Sequence, residues 1–423
     1  MFFCRYLSIG VVIFLKVICL KSFLFVSFIL LNNIAFSEVF RFSFSKDERQ
    51  KIYSIVEEEV YFNGRLSHKS EIINRIIAKV IDVKNENRPS ALYSCTFMTS
   101  EKANDGKFTW GKEYSTVFWR NDLGYYSIEE KYFMPIVRGI PTFPIEDVKL
   151  GDEWEEEASE AYDFSNIFGI EKPVISPFNV KYQYISKEER NEEELHIIKA
   201  KYEKKYQVPE SIIKAYLKNS KEDIWPVQTS IKSDQRIAWN AKKGNISYYN
   251  ETFHIHILLN NGNTIEYSGT SFAESTEIKR NEEKINQEKI KEDIENLNLE
   301  NITIKKTKKG LTISIENIQF AVNSAILEES EKKKLFSIAN VLKKYGKGDI
   351  LVEGHTVFSS TRERQLSLSK ERARVVADYL IELKVRDMSH VFIRGLGGDF
   401  PIAPNTTEEN KARNRRVEIT IME

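Results

Sequence analysis

Gly354-His355-Thr356, then Leu368-Ser369-Lys370-Glu371-Arg372-Ala373, then Asn414-Arg415-Arg416-Val417-Glu418-Ile419 follow one another near the end of this 423-residue chain, after Phe320 and Ser324-Ala325-Ile326-Leu327. Around them strands and helices alternate. Ile302 to Lys306 and Leu311 to Ile315 flank Lys308-Lys309-Gly310 and read as a hairpin. Glu329 to Tyr345 has the spacing of an amphipathic helix, and Asp349 to Glu353 reads as a strand running into Gly354-His355-Thr356. The next helix opens at Ser360-Thr361-Arg362-Glu363, a capping box in which serine and glutamate satisfy each other's free backbone amides. Along it Gln365, Leu368, Arg372, Val375, Tyr379 and Leu383 recur at steps of three and four, which places Arg372 on the stripe expected to face the core. An arginine there must find an anion, because an unpaired buried charge costs several kcal/mol. Either Glu353 or Glu363 supplies an internal salt bridge, or the guanidinium fork receives the carboxylate of a ligand.

Together these landmarks resemble the OmpA-like peptidoglycan-binding domain, over residues 301–423 and so under a third of the chain. The resemblance implies an α/β sandwich that binds the diaminopimelate of the peptidoglycan stem peptide and catalyses nothing. In the family an arginine takes the carboxylate of that zwitterion, and an aspartate directly after Gly-His-Thr takes its ammonium. Arg372 matches the arginine and Thr356 the threonine before the aspartate. Gln365 matches an asparagine often found one turn into the helix, Leu368 belongs to the matching helical segment, and Asn405, Arg415 and Arg416 match C-terminal elements. The aspartate's own position holds Val357, which neither accepts a hydrogen bond nor balances an ammonium. Losing one side of a desolvated charge pair costs on the order of 3–5 kcal/mol, roughly two to three decades of affinity. Three outcomes are open. Glu353 or Glu363 substitutes for the aspartate; the local wall carries another cross-link residue, such as ornithine; or the fold has outlived the ligand.

The first 37 residues are apolar, contain no acid, and carry Arg5, Lys16 and Lys21 ahead of an apolar run from Phe23 to Leu31. With small residues Ala35 and Ser37 before Glu38, residues 1–37 read as a secretory signal peptide; the alternative is an uncleaved membrane anchor. Neither Cys4 nor Cys19 follows the small residue a lipid-attachment site needs. Removing three cations from a balance of 62 basic and 62 acidic residues leaves the mature chain at −3, no electrostatic footprint for nucleic acid. Cys95 then stands alone, so no intramolecular disulfide forms. A signal peptide ahead of an OmpA-like domain implies the periplasm, in association with the cell outer membrane or cell wall.

Between these ends the composition divides the chain into 38–145, a mixed α/β module, 146–273, a β-rich module, and 274–300, a charged helical connector. In the first, Ile52, Ile55, Val56 and Val60 fall at helical spacing, and a second helix is expected from Ser70 to Val80, with Asn63-Gly64 as the turn between them. Leu92 to Met98, Phe108 to Trp119 and Lys131 to Val137 read as strands. Prolines from Met134-Pro135 to Phe143-Pro144, then Gly151-Asp152-Glu153-Trp154, punctuate the chain, and the acids of Glu153 to Glu160 read as a solvated face. In the second module Val174 to Ile185, His196 to Tyr206, Gln228 to Trp239, Ile246 to Tyr249 and a hairpin from Phe253 to Tyr267 turning at Asn260-Asn261-Gly262-Asn263 suggest a small barrel or sandwich. Charges on both faces, as in Lys199-Ala200-Lys201-Tyr202-Glu203, argue against a membrane-spanning barrel. Glu274 to Asn298 reads as one helix whose stripe of Ile278, Ile285, Ile290, Ile294 and Leu297 packs on the last domain or on a partner.

Met134-Pro135-Ile136-Val137-Arg138 and Gly151-Asp152-Glu153-Trp154 ahead of an OmpA-like tail also resemble spirochaetal three-module envelope proteins. The fold expected overall is α+β in three modules. No nucleophile elbow, zinc-protease motif or phosphate loop occurs. His254 and His256 share a strand face without a third metal ligand, which favours cross-strand packing, and His355 is expected to be hydrogen-bonded in its turn. The reading is a non-catalytic protein, without cofactor or metal, that links the outer membrane or periplasmic partners to peptidoglycan. The alternative is a periplasmic scaffold that holds other envelope proteins and whose OmpA-like domain binds no peptidoglycan.

Overall fold

The computed structural model describes residues 37–422 apart from 103–107, 163–171, 220–223, 278–286, 308, 319, 321–324, 346–347 and 358–360. The expected signal peptide therefore lies outside the described residues, except for Ser37. Among the described residues twelve strands form one antiparallel sheet: β1 (Arg49–Phe62), β2 (Arg65–Lys84), β3 (Ser90–Lys102), β4 (Phe108–Asn121), β5 (Tyr126–Ile128), β6 (Val137–Arg138), β7 (Glu153–Tyr162), β8 (Val174–Arg190), β9 (Glu193–Gln207), β10 (Pro226–Asn240), β11 (Asn245–Leu259) and β12 (Thr264–Glu277). The run β1 to β5 pairs neighbour to neighbour, as does the run β6 to β12. The two runs join where β1 pairs along its length with β12. The division expected at 145/146 therefore falls between β6 and β7, inside one continuous sheet. A short helix, α1 (Glu210–Asn219), leads into β10.

Both helices expected in the first module are strands, β1 and β2. The reason lies in β2, which buries its two faces against different partners. Ile73 and Ile77 join Leu351 and Phe392 of the C-terminal domain, whereas Ile76, Ala78 and Val80 join Tyr93, Cys95 and Phe118. A strand covered on both sides needs no alternation of apolar and polar residues, so Ile-Ile-Asn-Arg-Ile-Ile mimics helical spacing. The Asn63-Gly64 turn does form, with φ of 49° and 73°, as a two-residue hairpin requires. Lys131 to Val137 is mostly irregular, with only Val137–Arg138 pairing, onto β7. The acids of 153–160 lie on β7, where Glu153, Glu155 and Glu157 are exposed as a solvated face requires, whereas Glu160 is buried beside Lys204 at 3.4 Å. His254 and His256 lie half-buried on β11, where Nε2 of His254 stands 4.0 Å from Glu266 on β12.

The charged connector does not begin as a helix. Glu274–Glu277 belongs to β12, Ile278 and Ile285 lie outside the described residues, and among the described residues the helix α2 spans Gln287–Glu295. Its Ile290 and Ile294 are buried in the core of the last domain. That domain continues with β13 (Ile302–Thr307), β14 (Gly310–Glu316), α3 (Glu329–Lys344), β15 (Ile350–Gly354), α4 (Arg362–Glu382), β16 (Val391–Gly395), α5 (Glu408–Asn414) and β17 (Arg416–Met422). Its sheet runs β13-β14-β17-β15-β16, with β15 and β16 parallel and the other pairs antiparallel. The fold is thus mixed α/β and rich in strands.

The two sheets meet. Phe392 and Ile393 of β16 pair in parallel with Phe108 and Thr109 of β4. Beside this junction Arg75 of β2 places Nε 2.6 Å from Oδ2 of Asp349, both almost wholly buried, and lies over the Phe392 ring at 3.9 Å. Asp349 also meets Nδ1 of His390 at 2.7 Å and Nζ of Lys51 at 3.3 Å. Ile73, Met98, Phe108, Trp110, Leu351, Phe392 and Met422 pack around it. No described helix is long and apolar enough to cross a membrane.

Candidate functional site

The helix α4 is seated by glycines at the ends of β15 and β16. A Cβ on Gly354 would stand 2.0 Å from the backbone oxygen of Ser369, and one on Gly395 2.5 Å from that of Leu366. Only hydrogen side chains allow the helix this close to the strands. Oγ of Ser369 then donates to the carbonyl of Leu366 and accepts from the amide of Gly397, while Thr356 donates its amide to the carbonyl of Gly397. The loop after β15 and the loop after β16 are thereby tied to each other and to α4.

Thr361, not Ser360, caps α4, its hydroxyl accepting from the amide of Arg364. Ser360 lies outside the described residues. The buried stripe of α4 comprises Gln365, Ser369, Ala373, Val376, Ala377 and Leu380. Of the expected stripe only Gln365 belongs to it; Leu368, Arg372, Val375, Tyr379 and Leu383 flank it, half-buried. The shift reflects Ser369 and Ala373, whose small side chains let the helix press onto Gly354.

Arg372 consequently sits at the edge of the core. Its guanidinium lies 4.8 Å from the centre of the Phe320 ring, in cation–π geometry. Its Nε is buried without a hydrogen-bond partner, and among the described residues no carboxylate comes within ion-pairing distance of it. Burial first, and the charge of Arg415 second, push its pKa down. Glu353, one of the two acids expected to pair with it, is held instead by Lys309 at 3.1 Å and Arg394 at 3.6 Å. Thr356 is buried with its hydroxyl unpartnered, and Val357 beside it is half-buried.

The C-terminal residues serve the scaffold. Asn414 of the Asn-Arg-Arg segment is buried and organises the loop after β16. Its Oδ1 accepts from the amides of Ile402 and Ala403, and its Nδ2 donates to Ala403 O and Asn405 Oδ1. Arg416 is buried, bonded to Glu418 at 2.7 Å and to the carbonyl of Phe400. Arg415 pairs with Glu408 at 2.8 Å and lies near enough to Arg372 to act on its charge. His355 is buried, its amide donating to Arg416 O; its ring stands 3.7 Å from Glu418, an ion-pair distance in place of the hydrogen bond expected. Burial raises the Glu418 carboxyl, but His355 and Arg416 outweigh it and bring its pKa to about 2.

The order strand, glycine turn, arginine-bearing helix, parallel strand and Asn-Arg-Arg return strand is that of one known family, and the OmpA family model matches residues 319–415. Residues 319–415 form an OmpA-family domain. Over 105 residues the chain is 42% identical to the probable lipoprotein YiaD of Escherichia coli, covering 25% of this chain and 48% of YiaD. Over 104 residues it is 36% identical to the peptidoglycan-binding protein ArfA of Mycobacterium tuberculosis, covering 25% of this chain and 32% of ArfA. The chain thus spans about half or less of the length of these curated relatives. Among solved structures, an outer membrane protein from Borrelia burgdorferi is 38% identical, with 29% of this chain and 97% of that one covered and a TM-score of 0.25.

Proposed function

We propose that this chain is a non-catalytic protein of the cell envelope that contacts peptidoglycan through its OmpA domain, on the periplasmic side of the outer membrane. The observation that carries this reading is Arg372, a partly desolvated guanidinium with a buried, unpaired Nε and, among the described residues, no carboxylate opposite it. Such a group is stabilised by an incoming carboxylate, and a stem peptide offers one. Arg415 adds positive charge to the same side, while Thr356 brings a buried hydroxyl. Leu368 and Gln365 shape α4 around the arginine, and Asn405 and Arg416 hold the surrounding loops. Val357 supplies no counter-charge for an ammonium, so the site reads the carboxylate and reads the ammonium weakly or not at all. The name of ArfA, a peptidoglycan-binding protein, agrees with this reading.

A second reading draws on the junction of the two sheets. The OmpA domain spends part of its surface on β4 and Arg75, as a scaffold would that holds other envelope proteins on the large sheet. One experiment separates the two. Sacculi from the protein's own organism and from a diaminopimelate-containing bacterium are incubated with the wild-type chain, Arg372→Ala and Val357→Asp. Tethering predicts retention of the wild type on its own sacculi, loss in Arg372→Ala with little change in stability, and a gain on diaminopimelate sacculi in Val357→Asp. Retention that is absent in the wild type, or unaffected by Arg372→Ala, leaves the scaffold.

A further inference from the structure

A second place on α4, on the flank away from Arg372, has features of a ligand site. β16 and β4 run parallel but stay paired only at Phe392–Phe108 and Ile393–Thr109. Beyond these residues they part, and a crevice of about 470 Å3 opens between Thr109-Trp110-Gly111, Arg394-Gly395 and Leu366, Ser367 and Lys370 of α4. It lies at the carboxyl end of β16 beside the first residues of β4, and its size suits a small molecule. It exists only because the large sheet docks on the OmpA domain.

The charges of the crevice do not cancel. Lys309 stands 3.0 Å from Glu113 and 3.1 Å from Glu353, close enough to hold both carboxylates. Arg394 reaches the same two acids only at 3.5 and 3.6 Å, so its donors are loosely engaged. Trp110 gives its indole hydrogen to Glu113. Lys370 has no carboxylate within ion-pairing distance among the described residues, and the Thr109 hydroxyl is buried without a partner. Among the described residues Lys370 and the Thr109 hydroxyl are thus donors without an acceptor, and Arg394 is held only by long ion pairs.

We propose that this crevice binds the oxyanion of a small ligand, a carboxylate or a phosphate, with Lys370 and Arg394 as counter-charges and Thr109 and Ser367 as hydrogen-bond donors. Because its walls come from both sheets, the bound anion would also strengthen their docking. The test is calorimetric titration of the whole chain with inorganic phosphate and, separately, with N-acetylmuramic acid, which carries a carboxylate. Saturable binding of at least one is expected, and the arm that responds names the source of the oxyanion. Lys370→Gln should weaken it by about tenfold or more, since hydrogen bonds to charged groups contribute that much. Ser367→Ala should weaken it less, and Arg372→Ala should leave it unchanged, so this site stands or falls independently of sacculus binding. No saturable binding of either anion, equal affinity in Lys370→Gln and Ser367→Ala, or loss in Arg372→Ala would overturn the proposal.

Discussion

Replacing Arg75 with alanine should loosen the OmpA domain from the large sheet. The side chains of Arg75 and Asp349 are only 2% and 5% exposed, and their 2.6 Å contact is a charge-assisted hydrogen bond in a nearly water-free seam. Removing one partner of such a pair costs about 3–5 kcal/mol, because the other charge stays buried. Here two groups soften the loss, since His390 at 2.7 Å and Lys51 at 3.3 Å still face the Asp349 carboxylate. Two others deepen it: the guanidinium covers the Phe392 ring at 3.9 Å and donates to the carbonyl of Ser389. Loss of a desolvated cation–π contact adds about 1–2 kcal/mol. The expected total is about 4 kcal/mol, read as a lowered midpoint in urea and as faster hydrogen exchange at Phe392 and Ile393. The double variant Arg75→Met/Asp349→Leu should recover most of it, as apolar replacement of buried pairs often does. The same pair gives a pH signature. His390 and Arg75 hold the Asp349 carboxyl well below its usual range despite burial, so the stability it provides is present above its unfolded pKa of about 3.9 and fades as pH falls below that value. A loss under about 1 kcal/mol in Arg75→Ala, with exchange at β16 unchanged, would refute the view that this pair holds the seam.

Two further outcomes follow from the packing. Ile290→Ala should destabilise the OmpA domain by about 2–5 kcal/mol, because Ile290 is fully buried in that domain's core; chemical denaturation measures it, and fragments beginning at 287 should outlast fragments beginning at 302. Gly354→Ala should misplace α4, since its Cβ would fall 2.0 Å from a backbone oxygen; soluble expression and near-ultraviolet circular dichroism report the loss.

The C-terminal third was legible because local and global signals agree there. The hairpin of β13 and β14, the helix from Glu329 and the strand before Gly354 form where periodicity and turn residues place them. Arg372 was legible as an unusual arginine, but its exact place was not, because Ser369 and Ala373 rotate the buried stripe in a way that hydrophobicity alone does not record. The two helices expected between residues 49 and 84 misled for a physical reason. β2 answers to two partners at once, one of which is more than 250 residues away in sequence, at Leu351 and Phe392. Asp349 carries no sign in its neighbourhood that an arginine near residue 75 will meet it. Asn414 was visible within a motif, and its role as a loop organiser became apparent only from its four hydrogen bonds.

The pairing of β1 with β12 sets the order in which the large sheet can be completed. Gln50 meets Glu277 and Phe62 meets Ile265, so one side of β1 waits for strands made roughly two hundred residues later. Hairpins such as β1–β2 and β10–β11 can zip locally, but the seam between the runs pays a long-loop closure entropy before any bond rewards it. During synthesis β1 emerges among the first strands and stays open on that edge the longest. Pulse-labelled hydrogen exchange during refolding should therefore find the amides that β1 and β12 share protected after those within either run. Until then the exposed rim of β1, with Tyr53, Ile55 and Tyr61 along it, is the stretch most in need of a chaperone.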